Sequence, residues 1–173
     1  MVYSYKLSVV YHYKPTLSTL FFRIKFYASL DEAVKIHRAT IEKSGGGDIG
    51  DLDLGRLDSV LTHIQNDDYY PTFIDKLVHL FFCSCKFHCF TDGNKRIAIT
   101  LTADFLLRNG YMGIANVYFR EMENISYHVA AGHIDEELLT ELMTAILDNT
   151  YDNDEALKLK LFNAISVEEQ FYE

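Results

Sequence analysis

One block of the chain restricts the fold more than any other: two apolar segments with nine polar-rich residues wedged between them. Upstream, Phe73-Ile74-Asp75-Lys76-Leu77-Val78-His79-Leu80-Phe81-Phe82 is apolar nearly all round a helix, the pattern of a helix buried on every side. Downstream, Ile97, Ala98, Leu101, Phe105 and Leu106 recur at helical spacing until Asn109-Gly110 stops the run. A chain that must bury two such helices is a helical domain organised around them. Between them lies His88-Cys89-Phe90-Thr91-Asp92-Gly93-Asn94-Lys95-Arg96, read as a short loop feeding the first turn of the second helix.

The residue types in that loop share one chemistry. Asp92 suits the N-cap, where a carboxylate accepts orphan backbone N–H groups. Gly93 lets a ligand approach the main chain closely. The free N–H groups and positive dipole end of the following helix form an anion site. Lys95 and Arg96 add cations beside it, and Arg96 can fork two phosphate oxygens. His88 can serve as a general base near neutral pH. A carboxylate next to a phosphate site is also where Mg²⁺ sits, since that ion takes one or two carboxylates plus substrate oxygens. Base, metal carboxylate and phosphate cradle within nine residues point to nucleotide-dependent group transfer.

The nonapeptide resembles the signature of the Fic superfamily, H-x-F-x-(D/E)-G-N-(G/K)-R, with His88, Phe90, Asp92, Gly93, Asn94, Lys95 and Arg96 on its defined positions. It is most similar to the death-on-curing (Doc) branch, where lysine replaces the second glycine. Ile36-His37, Ser44-Gly45-Gly46, Gly55-Arg56-Leu57 and Ala130-Ala131-Gly132-His133-Ile134 resemble Doc segments in the same order, so the likeness runs from about Leu30 to Asp148. It implies an all-α Fic fold, a compact helical bundle around two central helices, over residues 29–173, with 1–28 as an N-terminal extension.

The resemblance also implies roles. His88 would take the proton from a target hydroxyl as it attacks a phosphorus of ATP, and Asp92 would hold Mg²⁺. Gly93, Asn94 and the helix start would stabilise phosphate, Arg96 would clamp its oxygens, and Phe90 would anchor the loop in the core. Doc proteins with the lysine resemble kinases that pass the γ-phosphate to a threonine of elongation factor Tu. Most Fic enzymes instead transfer AMP. Lys95, and Ile99 where AMP-transferring relatives have a second arginine, lean toward phosphorylation; Gly93, where Doc chains commonly have alanine, leans toward AMP transfer. Two features outweigh one, so the expectation is a Doc-like phosphate transfer, with AMP transfer or an inactive binding module as alternatives. The self-inhibitory (S/T)-x-x-x-E-(G/N) motif of many Fic chains has no match. A separate antitoxin, docking in an apolar groove near the first helix, is the implied regulator.

Composition narrows the classes. The 173 residues, 49% hydrophobic, suffice for one domain with a real core. A net charge of −9 argues against a general nucleic-acid binder, which needs a basic surface. No apolar run is long enough for a bilayer, and no basic-then-apolar leader opens the chain, so no membrane and no signal peptide are expected. The three cysteines lie between Cys83 and Cys89, a pattern that fits the cytoplasm. They lack a C-x-x-C pair or a distant second half of a zinc set, so small core hydrophobes is the stronger reading.

The remaining elements follow from spacing. Val2 to Tyr13 alternates and Leu20 to Tyr27 is β-prone, reading as a small hairpin. Ser29 and Glu32 form a capping box for a helix whose stripe is Leu30, Val34, His37 and Ile41; His37 reads as a buried core histidine rather than a catalytic one. The glycine- and aspartate-rich run Gly45 to Gly55 is a mobile surface loop, which the resemblance casts as a flap positioning the target segment. Leu54, Leu57, Leu61 and Ile64 make the next helix, and Pro71 suits N1 of the one after. Further helices are expected from Tyr118 to Ala131, from Asp135 to Leu147, and from the Asp152–Asp154 cap to about Ile165. In the last, Ala156 to Leu161 also alternates, so periodicity admits strand as well as helix. Glu168-Glu169 opens an acidic tail.

Overall fold

The computed structural model describes residues 26–166; all but the last two residues of the expected hairpin, and the acidic tail, lie outside the described residues. The fold is all-α. Seven α-helices and no strand occur among the described residues: α1 (Leu30–Lys43), α2 (Leu54–His63), α3 (Phe73–Lys86), α4 (Asn94–Arg108), α5 (Ala115–Ala131), α6 (Glu136–Leu147) and α7 (Glu155–Ile165). No helix among the described residues is long and apolar enough to cross a membrane.

Local chemistry explains most boundaries. The α1 capping box forms as expected: Ser29 Oγ accepts from the Glu32 N–H, and Glu32 Oε2 accepts from the Ser29 N–H at 2.9 Å. α3 differs from expectation at its start. Thr72, not a residue before Pro71, is the N-cap; its hydroxyl accepts the Asp75 N–H at 3.1 Å and Asp75 Oδ2 accepts the Thr72 N–H at 2.9 Å. This second capping box leaves Pro71 outside the helix. α5 begins three residues before Tyr118, at Ala115, behind an Ile114 cap with no side-chain bond, which carries no sequence signal. The final segment is helix: Asp154 Oδ1 accepts the Leu157 N–H at 2.9 Å, and Leu157 and Leu161, one turn apart, are both buried.

α3 and α4 share the largest helix–helix contact and form the centre; α5 lies against both, α6 against α3, and α1 against α4. Leu77, Leu80, Phe81, Ile97, Ala98 and Leu101 are almost fully enclosed between them. Three cross-links show that α1 runs antiparallel to α4: Glu32 with Arg108 at 2.9 Å, Thr40 with Thr100 at 2.9 Å, and Ser44 with Arg96 at 2.8 Å. That register brings the end of α1, and the loop beyond it, to the start of α4. Lys76 is the one fully buried cation among the described residues; its ammonium donates to the Ile64 carbonyl at 2.7 Å and pairs with Asp67 at 2.8 Å, fastening the end of α2 to α3. A hydroxyl pair, Thr102 with Tyr118, joins α4 to α5 in the core.

Candidate active site at the start of the central helix

α3 ends at Lys86 with Phe87 as its C-cap, and the Arg56 guanidinium of α2 donates to the Phe87 carbonyl at 3.4 Å. The chain then turns sharply. His88 takes φ 49, a left-handed conformation that costs a non-glycine residue about 1 kcal/mol. Its side chain is exposed, and no described residue hydrogen-bonds its imidazole. Cys89 and Phe90 plunge into the core.

Phe90 is fixed from two directions. The Asn94 side chain clamps its backbone, with Oδ1 accepting the Phe90 N–H at 3.0 Å and Nδ2 donating to the Phe90 carbonyl at 2.8 Å. The Phe90 ring stacks on the His37 ring, centroids 3.7 Å apart and 12° from parallel. His88 is two residues before this clamp, so its Cα lies within about 7 Å of the Phe90 Cα. Chain connectivity thus keeps the His88 backbone next to the clamp.

The cap of α4 differs from expectation. Gly93, not Asp92, is the N-cap residue, at φ 79, and no side chain caps the helix. Asp92 instead accepts the Gly93 N–H through Oδ1 at 2.5 Å, one residue short of the helical amides. The first-turn N–H groups of α4 are thus left without a side-chain partner, which is the condition for an anion site. Glycine is favoured at 93 on two counts: the left-handed φ, and Ile41, whose Cδ1 lies 2.4 Å from where a Cβ would stand and would have to shift.

Asp92 and Arg96 face each other. Arg96 Nη2 meets Asp92 Oδ2 at 2.9 Å, and its Nη1 donates to Ser44 Oγ at 2.8 Å and to the Gly46 carbonyl at 3.0 Å. The Gly93 N–H and the Arg96 guanidinium hold the Asp92 carboxyl below its usual range, so it is an anion at neutral pH. Its side chain remains 47% exposed and open to a cation. Lys95 points elsewhere: its ammonium sits 5.3 Å from the Tyr127 ring centre on α5.

The loop between α1 and α2 is docked on this corner. The Cys89 carbonyl accepts the Leu52 and Asp53 N–H groups at 2.9 and 3.0 Å, the Thr91 N–H donates to Gly50 at 2.9 Å, and Asp51 and Phe90 form a lone antiparallel bridge. A Cβ at Gly47 would stand 2.2 Å from Asp92 Oδ2, so only glycine lets the loop lie against that carboxylate.

The cysteines lie behind the site. Burial pushes the Cys83 and Cys85 thiols up to about 12 and raises Cys89, so all three stay protonated and pack as small apolar groups. Among the described residues no three His, Cys, Asp or Glu side chains converge as metal ligands. Asp92 alone is enough for Mg²⁺, which binds through one or two carboxylates with phosphate oxygens completing its shell. The half-exposed carboxylate and the uncapped helix start therefore fit a magnesium-bound nucleotide.

Of the residues singled out in the sequence, Asp92, Gly93 and Arg96 gather at one corner with Phe90 beneath them, and His88 lies on the same loop, four residues before Asp92. Asn94 is there too, but its side chain is committed to Phe90, so only its backbone N–H faces the uncapped helix start. Lys95 is drawn off toward α5. His37 was read only as core, and Arg56 only as part of a family-like segment. No sequence signal tied either to the loop, because both reach it through tertiary contacts.

Residues 27–106 match the model of the Fic/DOC family, a span that holds α1 to α3, the whole corner and most of α4. The match and the helical architecture support membership of the Fic/Doc superfamily for this part of the chain. Members of that family are generally protein-modifying transferases. No curated protein matches the chain.

Proposed function

We propose that the protein is a Doc-like transferase that passes a phosphate from ATP to a hydroxyl side chain of a target protein. The observation that carries this reading is the start of α4, where a half-exposed carboxylate anion adjoins a helix N-terminus with no side-chain cap; the exposed, unbonded His88 stands on the same loop, four residues before Asp92. The family match over this corner supports it.

Each group has a task. His88 accepts the proton of the attacking hydroxyl as its oxygen bonds to the γ-phosphorus, while the bond from that phosphorus to the β,γ-bridging oxygen breaks and ADP leaves. The backbone N–H groups of Asn94, Lys95 and Arg96 bind phosphate oxygens, the electrostatic contribution that dominates phosphoryl transfer. Arg96, released from Asp92, clamps a second pair of oxygens. Asp92 would hold Mg²⁺, which when bound would neutralise phosphate charge. Gly93 supplies the left-handed turn into the helix, packed against Ile41, and Phe90 with Asn94 keeps the loop in place.

Phosphate transfer is preferred to AMP transfer for a steric reason as well as the earlier ones. Gly93 no longer counts toward AMP transfer, because the left-handed turn into α4, at φ 79, favours glycine there for a structural reason. Ile99 places no second arginine in the following turn. The target we favour is an elongation factor Tu-like protein in the cytoplasm, and the regulator a separate antitoxin. A groove of about 350 Å³ along α1 and α4, lined by Ile36, Ala39, Thr40, Lys43, Ser44 and Thr100, supports the latter as a seat for a partner segment.

The decisive experiment incubates the protein with elongation factor Tu and ATP labelled at the α or the γ phosphorus. Label from γ alone, lost in His88→Ala, is the expected result. Label from α alone establishes AMP transfer instead. No label from either position, with His88→Ala indistinguishable, leaves an inactive binding module.

A further inference from the structure

We infer that His37 is a positioning residue of the site, holding the main chain between Asp92 and Gly93 so that the carboxylate and the uncapped amides face the same ligand. The inference rests on the nucleotide-transfer reading for its functional consequence, but its geometry stands apart from it.

His37 is completely buried in the middle of α1. Its Nε2 lies 2.8 Å from the Asp92 carbonyl oxygen. A carbonyl can only accept, so Nε2 carries the proton of that bond and the tautomer is assigned by its partner. The ring is stacked on Phe90, and the same Nε2 lies 3.3 Å from where a Cβ on Gly93 would stand. One imidazole thus touches the three successive parts of the loop: the ring anchor, the metal carboxylate's own backbone and the left-handed turn into α4.

The other ring nitrogen shows why this is not merely a well-packed histidine. Nδ1 is buried with no hydrogen-bond partner. A buried polar atom left unpaired opposes folding, so a phenylalanine of similar shape, with no such atom, would suit the core at least as well. What phenylalanine cannot do is donate to Asp92. An aromatic C–H must also stand further from a carbonyl oxygen than the present 2.8 Å, so it would push the loop outward. Glutamine is different, since its amide can place a donor near the position of Nε2. The geometry thus separates stability from site alignment at one residue.

The test compares wild type, His37→Phe and His37→Gln in the full chain. All three should show the same thermal midpoint within a few degrees. Without ligand, amide exchange at Gly93 and Ile97 should quicken at least tenfold in His37→Phe and return to within threefold of wild type in His37→Gln. With Mg²⁺ and ATP, calorimetric affinity should follow the same order. A folded His37→Phe whose loop amides exchange as in wild type overturns the inference, as does a His37→Gln no better than His37→Phe. Should wild type fail to bind Mg²⁺–ATP at all, the nucleotide reading falls, while the exchange data still decide the positioning role.

Discussion

His88 and Gly93 both occupy left-handed backbone, and the two respond oppositely to substitution. His88 is exposed and unbonded, so its conformation is sustained by neighbours and not by its own side chain. His88→Gly should raise stability by about 1 kcal/mol in urea titration, by relieving the left-handed penalty. Both His88→Gly and His88→Ala should lower the transfer rate by roughly 10²–10⁴-fold, the usual contribution of a general base. A stabilised yet inactive His88→Gly is the signature of a residue kept for chemistry. Gly93→Ala should do the reverse. Its methyl would collide with Ile41 at 2.4 Å while keeping φ 79. A loss of about 2–4 kcal/mol follows from the left-handed strain plus overpacking, measurable in the same titration. Histidine at an angle better suited to glycine could not have been read from residue types; it appears only once the turn out of α3 is drawn.

Among the helices, α1 is the strut that sets the site. Its N-terminus is tied to the far end of α4 by Glu32, whose carboxylate is shared between the Ser29 N–H and the Arg108 guanidinium. Those bonds, Ser29 first, lower the Glu32 pKa from 4.5 to about 2. The sign is that of a depressed acid: the contribution is complete above pH 4.5 and is lost as pH falls toward about 2. Glu32→Gln should therefore be less stable than wild type at pH 7, with the gap closing between pH 4.5 and 2, as denaturant titrations across that range would show. The Ser29–Glu32 capping box was legible from residue spacing alone. The second role of Glu32 was not, because Arg108 lies 76 positions away and meets it only through the antiparallel pairing of α1 with α4. Gly45 to Gly55 teaches the same lesson. Composition marked it as a loop, and only the folded chain shows it hydrogen-bonded to the motif through Cys89 and Thr91.

For the whole molecule, the question is how much of the chain the site needs. The family match ends at residue 106, yet α5 and α6 cover α3 and α4. Met122, Val129, Leu139, Leu142, Met143 and Ile146 are all essentially inaccessible to solvent. At about 1.5–3 kcal/mol for each such side chain, their burial is worth roughly 9–18 kcal/mol, as much as the entire net stability of an ordinary domain. A chain ended after Gly110 should therefore lack a cooperative thermal transition and bind no Mg²⁺–ATP, although every motif residue is present; circular dichroism melts and calorimetry check both. A cooperative melt from that fragment would show that the matched span folds unaided.

Residue order alone determined the two central apolar helices and the polar corner between them. It could do so because helical periodicity, capping boxes and a motif confined to nine residues are all short-range properties. Tertiary structure decided the rest: that Gly93 and not Asp92 caps α4, that Asn94 serves Phe90, that Lys95 turns to Tyr127, and that His37 reaches under the loop. Each depends on which distant side chain comes within about 3–5 Å, and spacing along a chain holds no record of that until the helices pack.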